Sequence, residues 1–264
     1  VKSIFIDSKD NYWIGTDYGI LQFDKHFKLL QEFPTTPSNK FGLNIGGVTG
    51  FFEDSLSSLW VSTWGGGIHK KIKARNQFMN IENLPGNNFS EMHPGDDDIR
   101  IMKMHSDGNA WLGTTRGFLD KFNPYTEKFT HYFIFDKDSL RGVPVVSIDF
   151  QGNEIVWAGA IQNGGLTRIH LTTDKVTRFF PSNEKNSLPS SEILSLYVDN
   201  QEHLWVGTDV GLVRFIEKSE TFQLLSGQKG IPEASILAIN EDLNGHIWLS
   251  TPNTLVKNNP SDSS

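Results

Sequence analysis

An all-β chain of six four-stranded repeats, a β-propeller, is the fold class the sequence predicts, and three observations predict it. Six of the seven tryptophans, Trp13, Trp60, Trp111, Trp157, Trp205 and Trp248, stand 47, 51, 46, 48 and 43 residues apart. Each is followed two residues on by Gly or Ser (Gly15, Ser62, Gly113, Gly159, Gly207, Ser250), then by Thr or Ala (Thr16, Thr63, Thr114, Ala160, Thr208, Thr251). Asp7, Asp54, Asp199 and Asp242 stand six residues before their Trp, and His105 takes that place in the third copy. The fourth copy has Asp149 eight before, which reads as a two-residue insertion. Self-similarity at a period in the forties, with four short strands per copy, is the signature of a propeller blade.

The clearest copy runs from Asn200 to Phe215: a turn, the apolar run Leu204-Trp205-Val206, a tight turn at Asp209-Val210-Gly211, and a second apolar run to Phe215. Each copy is expected to begin with its innermost strand, as in Ile193–Asp199, where apolar and small or polar residues alternate with the two-residue period of a strand. A turn rich in Asp, Asn, Gly and Ser follows, because these residues accept unusual dihedrals and bond their own backbone. The Trp strand is second, its ring filling the gap between twisted sheets. The third strand follows the glycine turn. The fourth carries a Phe and lies outermost, with charges guarding an exposed edge. Polar, Pro-bearing linkers such as Pro34–Lys40, Pro181–Pro189 and Ser226–Pro232 lead back to the next inner strand.

Six blades of about 45 residues account for about 270, so 1–264 is expected to form one propeller domain. Its blades fall approximately at 1–40, 41–95, 96–140, 141–188, 189–232 and 233–264. The sixth copy lacks a fourth strand, since NNPSDSS follows Leu255-Val256-Lys257, and the first copy has no spare strand to complete it. The chain is therefore expected to be a fragment of a longer protein, with closure at six blades or within a larger propeller left open.

Composition narrows the function classes. A net charge of −7 argues against nucleic acid, whose phosphates call for a basic surface. Mean hydropathy is −0.35, and no run of about 18 apolar residues reads as a membrane span. With no cysteine, disulfides, thiolate metal sites and a Cys nucleophile are excluded.

The repeated phrases NYWIGTDYGILQF, SLWVSTWGGGIHK, NAWLGTTRGFLDKF, HLWVGTDVGLVRF and HIWLSTPNTLVK, with the linkers NSLPSSEILSLYVDN and KGIPEASILAINEDLNG, resemble the two-component-regulator propeller repeats. The resemblance implies an extracytoplasmic, periplasmic sensor region that feeds a transmembrane helix and a histidine kinase or diguanylate cyclase outside this chain. It implies a small-molecule or oligosaccharide ligand, no cofactor, and membrane contact only through missing flanking segments. A homodimer could form in the full-length receptor. The fourth repeat, and Asn253-Thr254 in the sixth, depart from the pattern.

Periodic residues serve what all blades share, so ligand recognition should lie where copies differ, on the second-to-third turns. There Tyr18, Trp64, Arg116, Gln162, Asn163 and Asp209 are the candidate ligand-binding residues. Trp64 is the seventh Trp, off the period, in a turn with one extra residue. It reads as a stacking platform for a sugar ring, against the plainer expectation that it packs on the neighbouring blade's loop. The run Asp96-Asp97-Asp98 lacks the alternate ligand spacing of a Ca²⁺ loop and reads as a solvated acidic loop. The eight histidines show no metal spacing; His105, His203 and His246 fall at first-to-second turns, where a turn role is expected. Neither a nucleophile elbow nor a phosphate loop is present. A non-catalytic ligand sensor is the favoured function, ahead of a lyase resembling the streptogramin lyases, which needs His and Glu on one mouth, and a protein-docking scaffold, which needs a large apolar face.

Overall fold

The computed structural model describes residues 1–36, 42–43, 46–74, 76–82, 90–134, 142–228 and 230–258. Residues 83–89, in the linker between the second and third blades, and the tail from 259 lie outside them. All the regular structure among the described residues is β. The first blade comprises β1 (Ser3–Ile6), β2 (Tyr12–Thr16), β3 (Gly19–Phe23) and β4 (Leu29–Pro34), and the second β5 (Val48–Glu53), β6 (Leu59–Thr63), β7 (Gly67–Ile72) and β8 (Gln77–Ile81). The third comprises β9 (Ile99–Met104), β10 (Ala110–Thr114), β11 (Phe118–Asn123) and β12 (Lys128–Phe133). The fourth comprises β13 (Val145–Gln151), β14 (Ile155–Ala160), β15 (Gly165–His170) and β16 (Lys175–Phe179). The fifth has β17 (Ile193–Val198), β18 (Leu204–Thr208), β19 (Gly211–Ile216) and β20 (Thr221–Leu224), and the sixth β21 (Ala238–Glu241), β22 (Ile247–Ser250) and β23 (Leu255–Asn258). Every sheet is an antiparallel meander in chain order, four-stranded in the first five blades and three-stranded in the sixth. This is the blade architecture the period predicts. The first three blades lie in one compact unit, Val1–Phe133, and the last three in another, Ile134–Ser264.

The repeat Asp ties the first turn to the Trp. In the first blade Asp7 Oδ1 accepts the backbone N–H groups of Lys9 and Asn11, each at 2.9 Å, and Oδ2 accepts Trp13 Nε1–H at 2.9 Å. Asp54, Asp199 and Asp242 repeat this with Trp60, Trp205 and Trp248 at 2.9, 2.8 and 3.1 Å. Burial alone would raise the Asp7 and Asp199 carboxyls, but the bonds from Trp, Asn and backbone donors outweigh it and hold both below the usual range. The turn accommodates left-handed residues at Asp10, Ser57, Gly108, Gly152, Glu202 and Gly245. In the fourth blade the expected insertion is absent at this level. Gln151, six before the ring like the others, accepts Trp157 Nε1–H at 2.9 Å. Asp149 instead accepts the N–H of Val198 in the fifth blade at 3.0 Å.

The indoles wedge between neighbouring sheets. Trp13 packs with Leu59, Val61 and Phe78 of the second blade, Trp60 with Leu112 and Phe122 of the third, and Trp205 with Ile239 and Leu249 of the sixth. The small residue two past the Trp is set by the same seam. A Cβ at Gly207 would lie 2.2 Å from Ser195 Oγ and 2.7 Å from the carbonyl oxygen of Ile236, which opens the next blade. Gly15 and Gly159 meet Val48 and Ile193 in the same way. Gly207→Ala is therefore expected to cost about 1–3 kcal/mol by overpacking. Urea unfolding measures it, and an unchanged midpoint would mean the seam yields freely.

Carboxylates also link neighbouring turns. Glu53 accepts the backbone N–H and hydroxyl of Ser8 at 2.7 and 2.9 Å, Glu202 the N–H of Gly152 at 2.7 Å, and Glu241 the N–H of Asn200 at 3.0 Å. In the second-to-third turns the repeat Thr is the cap. Thr16 Oγ1–H donates to the Gly19 carbonyl at 3.0 Å and accepts the Tyr18 N–H at 3.0 Å; Thr208 Oγ1–H donates to the Gly211 carbonyl at 2.8 Å.

Candidate functional site

In unit Val1–Phe133 the turns of the second and third blades are built together with the linker that joins those blades. Trp64 donates its N–H to the Gly47 carbonyl at 2.9 Å and pairs with Asp98 in an isolated antiparallel bridge. Gly65 and Gly67 donate N–H groups to the Asp97 carbonyl at 3.2 and 3.0 Å, and Thr115 donates to the Asp98 carbonyl at 2.9 Å. Asp96 is buried, and its Oδ2 accepts the Arg116 N–H at 3.1 Å. Burial pushes the Asp96 carboxyl up, against the pull of backbone bonds and the Arg116 guanidinium 3.8 Å away. The acidic run is thus not the solvated loop its composition suggests. Its carbonyls and the Asp96 carboxylate lace the Trp64 turn to the Arg116 turn.

The approach to this run is anchored from beneath. Asp120, fully buried on β11, accepts the Gly95 N–H at 2.7 Å and bonds His131 Nδ1 at 2.8 Å, while His131 Nε2 donates to the Ser90 carbonyl at 3.1 Å. Burial would lower the His131 pKa, but the hydrogen bond and charge of Asp120, with the Ser90 carbonyl, outweigh it and raise it. Both ring nitrogens then donate and the imidazolium is the form this pocket favours.

On the outer side, the Arg100 guanidinium lies 4.4 Å from the centre of the Trp64 ring, and Arg100 Nε–H donates to Thr115 Oγ1 at 2.8 Å. Trp64 therefore does pack on the neighbouring blade, yet 44 % of its surface remains open. The Arg116 side chain is 74 % exposed. Trp64 and Arg116 are brought together through Arg100, Thr115 and Asp96–Asp98, whereas Tyr18, 84 % exposed, stands on the first-blade turn. Arg100, which sequence reasoning did not single out, is the residue that joins the two; as an alternating residue on an inner strand it carried no signal.

In unit Ile134–Ser264, Gln162 and Asn163 both adopt left-handed backbone. Their N–H groups donate to Glu192 at 2.8 and 2.7 Å, and the Asn163 side-chain oxygen accepts the Ser191 hydroxyl at 3.1 Å. Asp209 is exposed, and its carbonyl accepts the Ser235 hydroxyl at 2.9 Å.

A second device escaped the sequence reading. The residue paired with each repeat Trp on the third strand is Lys70, Lys121, Arg168, Arg214 or Lys257, with Gln22 in the first blade. Those five cations stand 4.7, 5.9, 5.5, 5.9 and 5.3 Å from their ring centres. The histidines are largely engaged in structure. His203 and His246 bond Asp199 and Asp242 at 3.2 and 3.0 Å, and His69 is buried beside Thr63 Oγ1 at 3.2 Å. Among the described residues, no group of three or more His, Asp or Glu is placed to hold a metal ion.

Residues 187–210 match the family model described as two component regulator propeller. The chain is 34 % identical over 208 residues to histidine kinase P4 of Formosa agariphila, which covers 76 % of this chain and 14 % of that kinase. Similar solved structures include two extracellular domains of putative hybrid two component systems from B. thetaiotaomicron. The first has a TM-score of 0.78 at 20 % identity, covering 98 % of this chain and 33 % of that one. The second has a TM-score of 0.65 at 16 % identity, covering 97 % and 38 %. The chain thus spans a small part of each relative's length.

Proposed function

The chain carries repeats of the two-component-regulator propeller family, and from that premise we propose that it is the non-catalytic, extracytoplasmic sensing part of a bacterial signal-transduction receptor. Its ligand is a carbohydrate or other small molecule, taken on the second-to-third turns. The observation that carries this reading is the half-open Trp64 ring, backed by Arg100 at 4.4 Å and flanked by the exposed Arg116. An indole held rigid on one side and open to solvent offers area at little entropic cost, and the two guanidinium groups offer donors for hydroxyl or carbonyl oxygens. Periplasmic placement is part of the same proposal, supported by two similar structures that are extracellular domains. A glycan-array or thermal-shift screen is expected to yield a saccharide ligand whose affinity drops about tenfold in Trp64→Ala, since an aromatic contact contributes about 1 kcal/mol beyond its area. The variant should keep its melting temperature. Unchanged affinity retires the stacking role, and a kinase or cyclase output encoded downstream tests the receptor assignment separately.

A further inference from the structure

A cavity of about 140 Å³ lies between the first and second blades at the β1–β2 and β5–β6 turn end, the opposite end of the sheets from Trp64. Lys9, Lys71 and Lys73 face it, together with Asp7, Glu53 and Asn11. Three ammonium groups against two carboxylates leave one net positive charge, and the carboxylates already have hydrogen-bond donors of their own. Asp7 accepts from Lys9, Asn11 and Trp13, and Glu53 from Ser8. Lys73 donates to the Leu56 carbonyl at 3.0 Å. Among the described residues neither Lys71 nor Lys9 makes an ion pair or a side-chain hydrogen bond.

The rest of the molecule shows what Lys71 lacks. Cations over the repeat tryptophans are neutralised by carboxylates: Lys70 by Glu127 at 2.7 Å, Lys121 by Asp107 at 3.1 Å, Lys257 by Asp242 at 3.2 Å, and Arg168 by Glu217 and Glu220. Among the described residues Arg214 is the one other exception. In the first blade the position is Gln22, and Lys71 reaches across from β7 to cover Trp13 at 4.9 Å and Phe33 at 5.5 Å. Among the described residues it forms no ion pair, the Asp7 carboxylate acting on it only from a distance. Half-burial, and then repulsion from Lys9 and Lys73, favour the neutral amine against the pull of Asp7. A half-buried ammonium of this kind gains most from a bound anion.

We propose that this cavity is a binding site for a small oxyanion, a carboxylate, sulfate or phosphate group, held by Lys71 and Lys9 with Asn11 at its edge. The volume is well under the roughly 300 Å³ at which sites for larger organic ligands begin, so one acidic group enters rather than a run of sugar rings. The site is separate from the Trp64 turn and does not depend on that turn's ligand.

Calorimetric titration of the full chain at constant ionic strength, with sulfate, inorganic phosphate, glucuronate and glucose as probes, tests it. Saturable binding of at least one of the three anions and none of glucose is expected. Lys71→Met should weaken it tenfold or more and Lys9→Gln severalfold, while Lys25→Gln and Trp64→Ala leave it unchanged. Tighter binding of glucuronate assigns the site to the acidic group of an organic ligand; tighter sulfate or phosphate assigns it to a free ion. Absence of saturable binding by every anion overturns the proposal, as does equal affinity in Lys71→Met and Lys9→Gln. Should Lys71→Met fail to fold by its melting curve, Lys9→Gln decides alone.

Discussion

Trp60→Ala is expected to cost about 3–5 kcal/mol, the range for deleting a large buried aromatic. The ring is wholly buried, stacked on Phe52 at 5.8 Å and edge-on to Phe122 of the next blade at 4.9 Å. Truncation would open a void between two sheets, take the indole donor from the buried Asp54 and remove the surface under Lys70. Trp60→Phe keeps most of the volume but not the donor, and should cost about 1–2 kcal/mol. Trp64→Ala is the control, since loss at a half-open ring should be far smaller. Urea midpoints for the three variants measure the ordering. If Trp60→Ala proves as mild as Trp64→Ala, indoles do not hold the seams.

Acidification should destabilise the protein well before its carboxylates protonate. Burial holds the His69 imidazole neutral and depresses its pKa to about 4, the Gly42 backbone opposing this weakly. Between an unfolded value near 6.5 and about 4, the unfolded chain binds the extra proton, so stability falls as pH falls through that window. At about 1.4 kcal/mol per unit the loss approaches 3 kcal/mol. His131 acts with the opposite sign. Its pKa is raised in the folded protein, so its contribution is full below about 6.5 and is lost as pH rises through the folded value. Stability should therefore peak near pH 6.5. Unfolding free energies at pH 8, 6.5 and 4.5 would trace the profile, and His69→Leu should flatten its acid arm alone. Identical acid slopes in the variant and the parent would remove His69 as the cause.

The residues read correctly from the sequence are those whose role is fixed by a constant spacing. An Asp six before a Trp can reach both the turn and the indole, so the pattern survives in one dimension. Gln151 was passed over because the role requires an acceptor oxygen at that distance, not an aspartate, and Asp149 offered a more familiar letter. The cations over the rings stand nine to eleven residues after them, a gap that drifts with turn length; only strand register brings them opposite. Asp96–Asp98 misled for another reason. Charge counts as solvated until the backbone around it is known, and here the carbonyls of the run complete the hydrogen bonding of two glycine turns. Tyr18, Trp64, Arg116, Gln162, Asn163 and Asp209 are legible as turn residues, but which of them share a surface depends on linker paths that no local pattern encodes.

The links from Glu53, Glu202 and Glu241 grip main-chain amides. An amide proton is supplied by every residue except proline, so these N–H bonds outlast a change of side chain in the gripped turns, the Ser8 hydroxyl bond to Glu53 being the part that would be lost. A scaffold fastened this way allows the gripped positions to be rewritten for new molecules at little risk to these bonds, with proline excluded there.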